Sequence, residues 1–374
     1  MRISGKLKIN RKPKGDIFLL IAVVLLTIIG TVFIYSASNY SAQKTYGDPF
    51  YFVKKQVLGI VLGIIVMIAF TFISYKKLEK WWLVLGIVSI VLLIAVFIPF
   101  IGVENYGAKR WIGIGGFTIQ PSEIAKFSFI LFTATYISKN PDRIRSFAGF
   151  LPVLIFGGIL CLLIIIEPNM SITVCMVLLM FSMLLFAGIR IKHLLFLILP
   201  AFLLGVILIL IEPYRLNRLS AFLDPWSSPK GEGYQLLQSL YALGSGGWFG
   251  VGLFNSRQKF SFLPFSESDF ILSIIGEETG FIGLIFFFLL LFFIVYRGFK
   301  IAGKTTNIFA YLLAIGITMI FCIQVVINAL VVTGSIPPTG LPLPLVSSGN
   351  TSIIIFMAEM GILFNISKEN SLTF

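Results

Sequence analysis

Residues 17–37 read IFLLIAVVLLTIIGTVFIYSA and contain no charged side chain. An α-helix needs about 20 predominantly apolar residues to cross the hydrocarbon core of a bilayer. The stretch is longer than the apolar core of a secretory signal peptide, which has about 7–15 residues. Although Ser36-Ala37-Ser38 faintly resembles a cleavage site, we interpret the segment as a retained membrane-spanning helix.

Comparable apolar stretches recur over the whole chain of 374 residues, which is 57% hydrophobic and 12% charged, with a mean hydropathy of +0.98. A soluble domain has roughly 45–50% apolar and about 25% charged residues, so a water-soluble globular enzyme is excluded. The pattern predicts ten membrane spans, at about 17–37, 52–74, 79–100, 121–138, 149–166, 169–188, 194–212, 269–296, 307–333 and 346–366. The boundary between the fifth and sixth spans depends on Glu167-Pro168-Asn169, because proline cannot continue a helix and a carboxylate avoids lipid. The predicted fold class is all-α: a polytopic membrane protein whose residues 1–374 form a single integral membrane domain.

Charged residues are distributed unevenly between the loops of this pattern. The N-terminal tail 1–16 and the loops on its side hold 18 basic and 4 acidic residues, whereas the rest of the chain holds 11 basic and 12 acidic residues. The positive-inside rule therefore predicts that both termini are cytoplasmic, and that the long connections at about 101–120 and 213–268 are extracytoplasmic. This bias indicates membrane topology rather than nucleic-acid binding. Within the second connection, the half-apolar helical spacing of residues 234–243 predicts a short amphipathic helix at the outer interface.

The cysteine and histidine content restricts the chemistry. All three cysteines lie in apolar runs, which predicts neither a disulfide framework nor a thiolate metal site. The chain has one histidine, His193, in a short basic loop, so a histidine metal site or a Ser-His-Asp triad is close to excluded.

Acidic residues gather where the connection 213–268 meets the eighth span. A carboxylate such as Asp269, beside the low-dielectric end of a helix, can have a raised pKa and act as a general base. It can equally cap the free N–H groups of that helix. Glu267 allows the same two interpretations. Glu277 and Glu278 are predicted to lie two turns further into the span, where an acid either pairs with a basic residue or lines a polar cavity.

Basic residues lie on the same predicted outer side. Lys109 and Arg110, followed by a tryptophan, predict either an interface anchor or a clamp for an anionic headgroup. Arg215 and Arg218 lie on the outer side, where the charge distribution of this chain disfavours basic residues. This indicates that they have a negatively charged partner, which is either a lipid phosphate or one of the carboxylates Glu212 and Asp224. The convergence of both charge signs predicts a site for an amphiphile with a charged head and a lipid tail. It leaves enzyme and transporter open.

The fourth predicted span begins with a pair of opposite charge. Glu123 and Lys126 stand three residues apart, so both side chains lie on one helix face and can pair. Glu123 fits ordinary helix-start chemistry. Lys126 lies several residues inside the apolar segment, where capping does not require it.

Four long motifs follow one another in the chain: 105–126 with GAKRWI and QPSEIAK, 222–252 beginning FLDPW, 263–280 ending in IGEETG, and 339–344 reading TGLPLP. In this order they resemble the SEDS family of bacterial cell-wall proteins (shape, elongation, division and sporulation), which includes FtsW, RodA and SpoVE. The resemblance covers nearly the whole chain, and the DPW motif is nearer to the FtsW/SpoVE branch.

The resemblance implies a peptidoglycan glycosyltransferase of the bacterial inner membrane that polymerises lipid II, a disaccharide-pentapeptide on undecaprenyl pyrophosphate. Asp269 matches the family's essential outer-face aspartate and would take the proton from the acceptor GlcNAc 4-hydroxyl. That oxygen would attack the anomeric carbon of the donor MurNAc with inversion, and undecaprenyl pyrophosphate would leave. Two alternatives stay open: a lipid II flippase, and a non-catalytic membrane scaffold of the division machinery.

The same resemblance implies roles for further residues and partners. The candidates for holding substrate are Lys109, Arg110, Glu123, Lys126, Arg215, Arg218 and Glu267. The leaving pyrophosphate needs positive charge or a divalent cation, Mg²⁺ or Mn²⁺, whereas the residues of a metal site are not indicated. The implied partners are lipid II, the bilayer and a class B penicillin-binding protein, with no nucleic acid.

Three positions depart from the family pattern. Phe265 stands where a glutamate usually follows Leu-Pro, and Asn169 stands where an aspartate usually follows Glu-Pro. Ser348-Gly349-Asn350 replaces the usual Tyr-Gly-Gly. The aspartate at 269 is retained, so we expect an enzyme. The three changes leave the geometry of its substrate loops open, and a specialised or weakly active paralogue stays an alternative.

Overall fold

The computed structural model describes residues 15–105, 108–114 and 117–370, so only Gly15 and Asp16 of the predicted tail 1–16 fall within it. Within these ranges the chain forms twelve α-helices: α1 (Ile17–Tyr46), α2 (Tyr51–Phe72), α3 (Tyr75–Ala95), α4 (Pro121–Lys139), α5 (Phe147–Ile166), α6 (Met170–Phe186), α7 (Ile191–Ile211), α8 (Pro213–Leu223), α9 (Tyr234–Gly246), α10 (Ile271–Gly303), α11 (Ile308–Val332) and α12 (Asn350–Asn370). Ten of these helices lie at the ten predicted spans, and α8 and α9 lie in the connection 213–268.

The predicted all-α polytopic membrane fold is confirmed. Eight helices of the described chain are long and apolar enough to cross a membrane, namely α1, α2, α3, α5, α7, α10, α11 and α12. Helix α6 is apolar but has 17 residues, and α4 carries the charges of Glu123 and Lys126. That α4 and α6 also cross the bilayer stays a prediction.

The connection 101–120 contains a small sheet that the sequence analysis did not predict. Strands β1 (Gly102–Asn105), β2 (Ala108–Ile114) and β3 (Phe117–Ile119) pair antiparallel in the order β1-β2-β3. Successive side chains of a strand point to opposite faces. Ala108 and Ile112 are buried and Arg110 between them is partly buried, whereas Lys109 is exposed. The sheet thus turns the two adjacent basic residues in different directions.

Helix α11 is the centre of the bundle. Most of its residues are buried, and α4, α6, α10 and α12 pack around it. Helix α7 is the opposite case, because none of its residues is buried. It packs beside α6 and runs directly into α8.

Helix α10 is broken at Gly280, whose φ of 68° and ψ of −171° are not helical. A side chain at Gly280 would collide with the backbone of Phe249 and Gly250, so glycine permits this close approach. The helix beyond the break, residues 281–303, is about 34 Å long at 1.5 Å per residue, enough to cross the bilayer alone. Glu277 and Glu278 lie in the part of α10 that precedes the break, six and seven residues after its first residue, Ile271. Their depth in the membrane stays a prediction.

Both glutamates fasten the segment after α9 to α10. Glu277 accepts hydrogen bonds from the Arg257 backbone N–H (3.0 Å) and from the Ser256 hydroxyl. Glu278 accepts from the Ser256 backbone N–H at 3.2 Å, and Lys259 Nζ lies 3.8 Å from Glu278 Oε1. The basic partner is thus a loop lysine, not a residue of another span.

Four helix ends meet at the end of the bundle where the described chain begins. Asp16 caps α1 and forms an ion pair with Arg297 of α10, and its backbone N–H donates to Ser367 of α12. Tyr75, the first residue of α3, donates to Glu369 of α12 at 2.5 Å. These contacts place the starts of α1 and α3 and the ends of α10 and α12 together. An even number of predicted spans separates any two of these helix ends, so they are expected on the same side of the membrane.

Candidate active site

The opposite end of the bundle holds a cavity of about 1090 Å³. It is enclosed by β2, by the facing ends of α5, α6, α7, α11 and α12, and by α8. The charged side chains in its wall are Arg110, Glu212, Arg215, Arg218 and Asp269. Four of these are residues that the sequence predicted for the site, although they come from three distant parts of the chain.

The cavity continues as an apolar shaft between the helices. Its wall there is formed by Ile165 and Ile166 of α5, Val174 and Leu178 of α6, Leu208 and Ile209 of α7, and Ile323, Val326, Ile327 and Leu330 of α11. Leu178 lies eight residues into α6, which corresponds to about 12 Å of helix. The site therefore combines a charged mouth with an apolar shaft, as an amphiphile requires.

Asp269 is the carboxylate at the charged mouth. The Ser268 hydroxyl donates to its Oδ1 at 3.0 Å. Burial raises the pKa of Asp269 to about 6, and the Ser268 hydrogen bond and the charges of Arg218 and Arg110 oppose this rise. The group is therefore ionised at neutral pH and basic enough to accept a proton in a reaction.

The backbone on either side of Asp269 is held by a loop that precedes α12. Asn328 Nδ2 of α11 donates to the Asp269 backbone oxygen at 2.8 Å and to the Leu341 oxygen at 2.9 Å. The Ser347 hydroxyl donates to the Ser268 oxygen at 2.6 Å. A side chain at Gly340 would stand 3.3 Å from Asp269 Oδ2, so glycine lets this loop approach the carboxylate. Asn328 was not predicted as a site residue, although a polar residue inside an apolar span is a signal for function.

Arg110 is anchored by backbone carbonyls. Its Nε donates to the Glu167 oxygen at 3.3 Å, and its Nη2 donates to the Pro168 oxygen. A guanidinium carries five N–H donors, so donors remain for a ligand in the cavity. Glu167 itself was not predicted as a site residue.

Arg215 and Arg218 lie one turn apart on α8, which begins at Pro213 where α7 ends. Arg215 donates to the Leu208 oxygen at 2.6 Å. The Arg218 guanidinium stacks 4.6 Å from the centroid of the Tyr214 ring and lies 3.9 Å from Glu232 Oε2. Together with Arg110 they give the mouth of the cavity a positive charge that suits phosphate oxygens.

Four predicted residues lie elsewhere. Lys109 is exposed and does not line the cavity, and neither does Glu267, whose backbone oxygen accepts from the Ser348 N–H. Lys126 Nζ lies 2.6 Å from Glu123 Oε1 in a pair that is only 2% and 1% exposed, inside the bundle. The structure therefore does not bring these residues to the cavity, and their roles in substrate binding stay predictions.

The departures from the family pattern all lie in the cavity wall. Asn169, Phe265 and Ser348-Gly349-Asn350 line it. Asn169 also caps α6, because its Oδ1 accepts from the Ile172 N–H at 3.5 Å. The three departures thus concern residues that line the same cavity as Asp269.

A match to a family model described as "Cell cycle protein", named for FtsW, RodA and SpoVE, extends over residues 17–372. Stage V sporulation protein E of Bacillus subtilis is 40% identical over 360 residues, which cover 96% of this chain and 98% of that protein. A protein of Trichlorobacter lovleyi named "Probable peptidoglycan glycosyltransferase FtsW" is 42% identical over 366 residues, 96% of each chain.

Two solved structures are similar over the whole fold. A chain of a peptidoglycan synthase complex that coordinates polymerization and crosslinking matches with a TM-score of 0.79 and 26% identity, covering 95% of this chain and 98% of that one. The rod shape determining protein RodA of Thermus thermophilus matches with a TM-score of 0.70 and 23% identity, covering 95% and 97%, which shows a shared fold. The protein described here therefore belongs to the cell cycle protein family of FtsW, RodA and SpoVE.

Proposed function

We propose that this chain is a peptidoglycan glycosyltransferase that polymerises lipid II into glycan strands. The observation that carries the proposal is that Asp269, three arginines and an apolar shaft line one and the same cavity. Relatives 36–42% identical over nearly the full chain are named as glycosyltransferases of this kind, which supports the same reaction class here.

The two parts of the cavity correspond to the two parts of the substrate. Arg110, Arg215 and Arg218 would bind the pyrophosphate, because guanidinium groups form charge-assisted hydrogen bonds to phosphate oxygens. The shaft between α6, α7 and α11 would take the polyprenyl chain. The sugars would then lie at the mouth of the cavity, next to Asp269.

Asp269 would act as the general base of an inverting transfer. Its carboxylate takes the proton of the acceptor GlcNAc 4-hydroxyl while that oxygen forms a bond to the anomeric carbon of the donor MurNAc. The bond from that carbon to the pyrophosphate oxygen breaks, and undecaprenyl pyrophosphate leaves with the bonding electrons. The arginines stabilise the negative charge that develops on the leaving group.

A divalent cation is the one cofactor that we propose to test. Among the described residues, no group of three His, Cys, Asp or Glu side chains could hold a metal ion. The side chains in the described part of the chain therefore do not fit a resident metal centre, and we propose that a cation would be bound through the phosphate oxygens of the substrate. Chelation with EDTA, followed by Mg²⁺ or Mn²⁺ addition, measures this directly. We expect the chelator to lower the rate and either cation to restore it, whereas an unchanged rate would leave the arginines as the sole positive charge.

We further propose that the protein acts in the bacterial inner membrane with both termini in the cytoplasm. The excess of basic residues on the side of the N-terminal tail supports this orientation. The similarity to a chain of a peptidoglycan synthase complex that coordinates polymerization and crosslinking supports a crosslinking partner, which we propose is a class B penicillin-binding protein.

The test uses the purified full-length chain with its partner and fluorescent lipid II. We expect glycan strands that lengthen with time on a gel. A flippase would instead move labelled lipid II across sealed vesicles without forming polymer. The charged groups of the cavity lie at one end of the bundle, which favours the polymerase. Translocation without polymer would contradict the proposal.

A further inference from the structure

Glu167 is a completely buried acid beside the cavity, and the proposed reaction does not use it. It ends α5, and its neighbours Ile166 and Pro168 line the cavity. Its own side chain is 0% exposed, and neither carboxyl oxygen has a hydrogen-bond partner among the described residues. A buried carboxylate without a partner is strongly unfavourable, so such a group holds a proton instead.

The charged group that acts on this carboxyl is Arg110. The Arg110 guanidinium is held in place because its Nε and Nη2 donate to the backbone oxygens of residues 167 and 168. Arg110 lines the cavity together with Tyr214, Arg218 and Asp269, and the charges of these groups also act on it. Arg110 is therefore fixed beside the backbone of a buried acid while it forms part of the cavity wall.

We propose that Glu167 is a positioning residue that leaves the charge of Arg110 free for the substrate diphosphate while its carboxyl is protonated, and compensates that charge once the carboxyl ionises. The inference rests on the proposed function, because it assumes that Arg110 binds the diphosphate. It adds a residue and a pH dependence that the reaction itself does not require.

The direction of the effect follows from the protonation state. Burial raises the pKa of Glu167 to about 8, and the charge of Arg110 opposes the rise. The carboxyl is therefore neutral at pH 7 and becomes anionic as the pH rises through 8. If the neutral form alone leaves Arg110 free, affinity for a polyprenyl diphosphate falls about tenfold between pH 7 and pH 9.

The experiment measures binding of undecaprenyl pyrophosphate to the full-length protein in detergent between pH 7 and pH 9. Glu167→Gln keeps the shape of the side chain and cannot ionise. We expect the variant to bind as the wild type does at pH 7 and to retain that affinity at pH 9. Glu104→Gln is the matched control, because Glu104 is an exposed acid of β1 outside the cavity. It should show the same fall in affinity as the wild type.

A second variant tests whether Glu167 acts through Arg110. Arg110→Gln should bind more weakly at pH 7 and lose the additional pH dependence. A fall in affinity that persists in Glu167→Gln, or in Arg110→Gln, would overturn the inference. Absence of binding by the wild type at pH 7 would instead contradict the proposed function, so the two failures are distinguishable.

Discussion

Replacement of Asp269 by asparagine is expected to lower the rate of lipid II polymerisation by about 10²–10⁴-fold, the usual contribution of a general base. Asparagine keeps the oxygen that accepts from the Ser268 hydroxyl at 3.0 Å, so the loop geometry should persist. The change removes the ability to take a proton, together with the negative charge beside Arg110 and Arg218. The measurement is the initial rate of strand formation, with the thermal unfolding midpoint of the variant checked beside it.

The polymerisation rate of the wild type should also depend on pH, because the carboxylate of Asp269 must be ionised to act as the base. Because burial raises the pKa of Asp269 to about 6, the base is protonated and inactive below that value, and the rate should fall as the pH is lowered through 6. Asp48→Asn is the control, because Asp48 lies in the turn between α1 and α2, outside the cavity, where it pairs with Lys54. It should retain the wild-type rate. A retained rate in Asp269→Asn would show that another group takes the proton.

Lys126→Met is expected to lower the free energy of unfolding by about 3–5 kcal/mol, because it removes one partner of a buried ion pair. Lys126 Nζ lies 2.6 Å from Glu123 Oε1, and both side chains are almost fully buried. The Phe356 ring lies 5.7 Å from Nζ, and a second buried acid, Glu359, follows one turn later on α12. The variant would therefore leave two acids in the bundle without their cation. Thermal unfolding of the detergent-solubilised protein measures the loss.

The double variant Glu123→Gln/Lys126→Met separates the charge from the packing. It should be more stable than Lys126→Met alone, because the unpaired carboxylate at 123 is gone. Lys54→Met is the matched control, since the Lys54–Asp48 pair has a similar distance of 2.7 Å but lies at the surface. Exposed pairs contribute little to stability. A Lys126→Met protein as stable as the Lys54→Met protein would show that the buried pair is not required for the fold.

Hydropathy located the membrane helices because the ability of a segment to cross the bilayer depends on the apolar side chains of about 20 consecutive residues. The same measure cannot detect the break at Gly280, because the residues after it are as apolar as a continuous span. The break coincides with the close approach of Phe249 and Gly250, which come from outside the helix. Glu277 and Glu278 precede this break, in a part of α10 that hydropathy does not separate from the rest of the helix.

The residues of the site, but not their arrangement, were partly predictable from the sequence. Charged residues at helix ends are visible one at a time, so Asp269, Arg110, Arg215 and Arg218 could be named from the sequence. Their assembly in one cavity, and the exclusion of Lys109 from it, depend on tertiary structure. Lys109 and Arg110 are neighbours in the chain, yet the pleat of β2 separates them. Charge counting cannot resolve that difference.

The weak packing of α7 has a consequence for how reactants arrive. The helix forms one side of the shaft and has no fully buried residue, so we expect a lipid-linked molecule to enter sideways, past α7, from the surrounding leaflet. The protein and the lipid-linked molecule would then meet by lateral diffusion within the membrane. Turnover should scale with the number of reactant molecules per unit of membrane area, and dilution with inert phospholipid should slow the protein even when the amount per volume is constant.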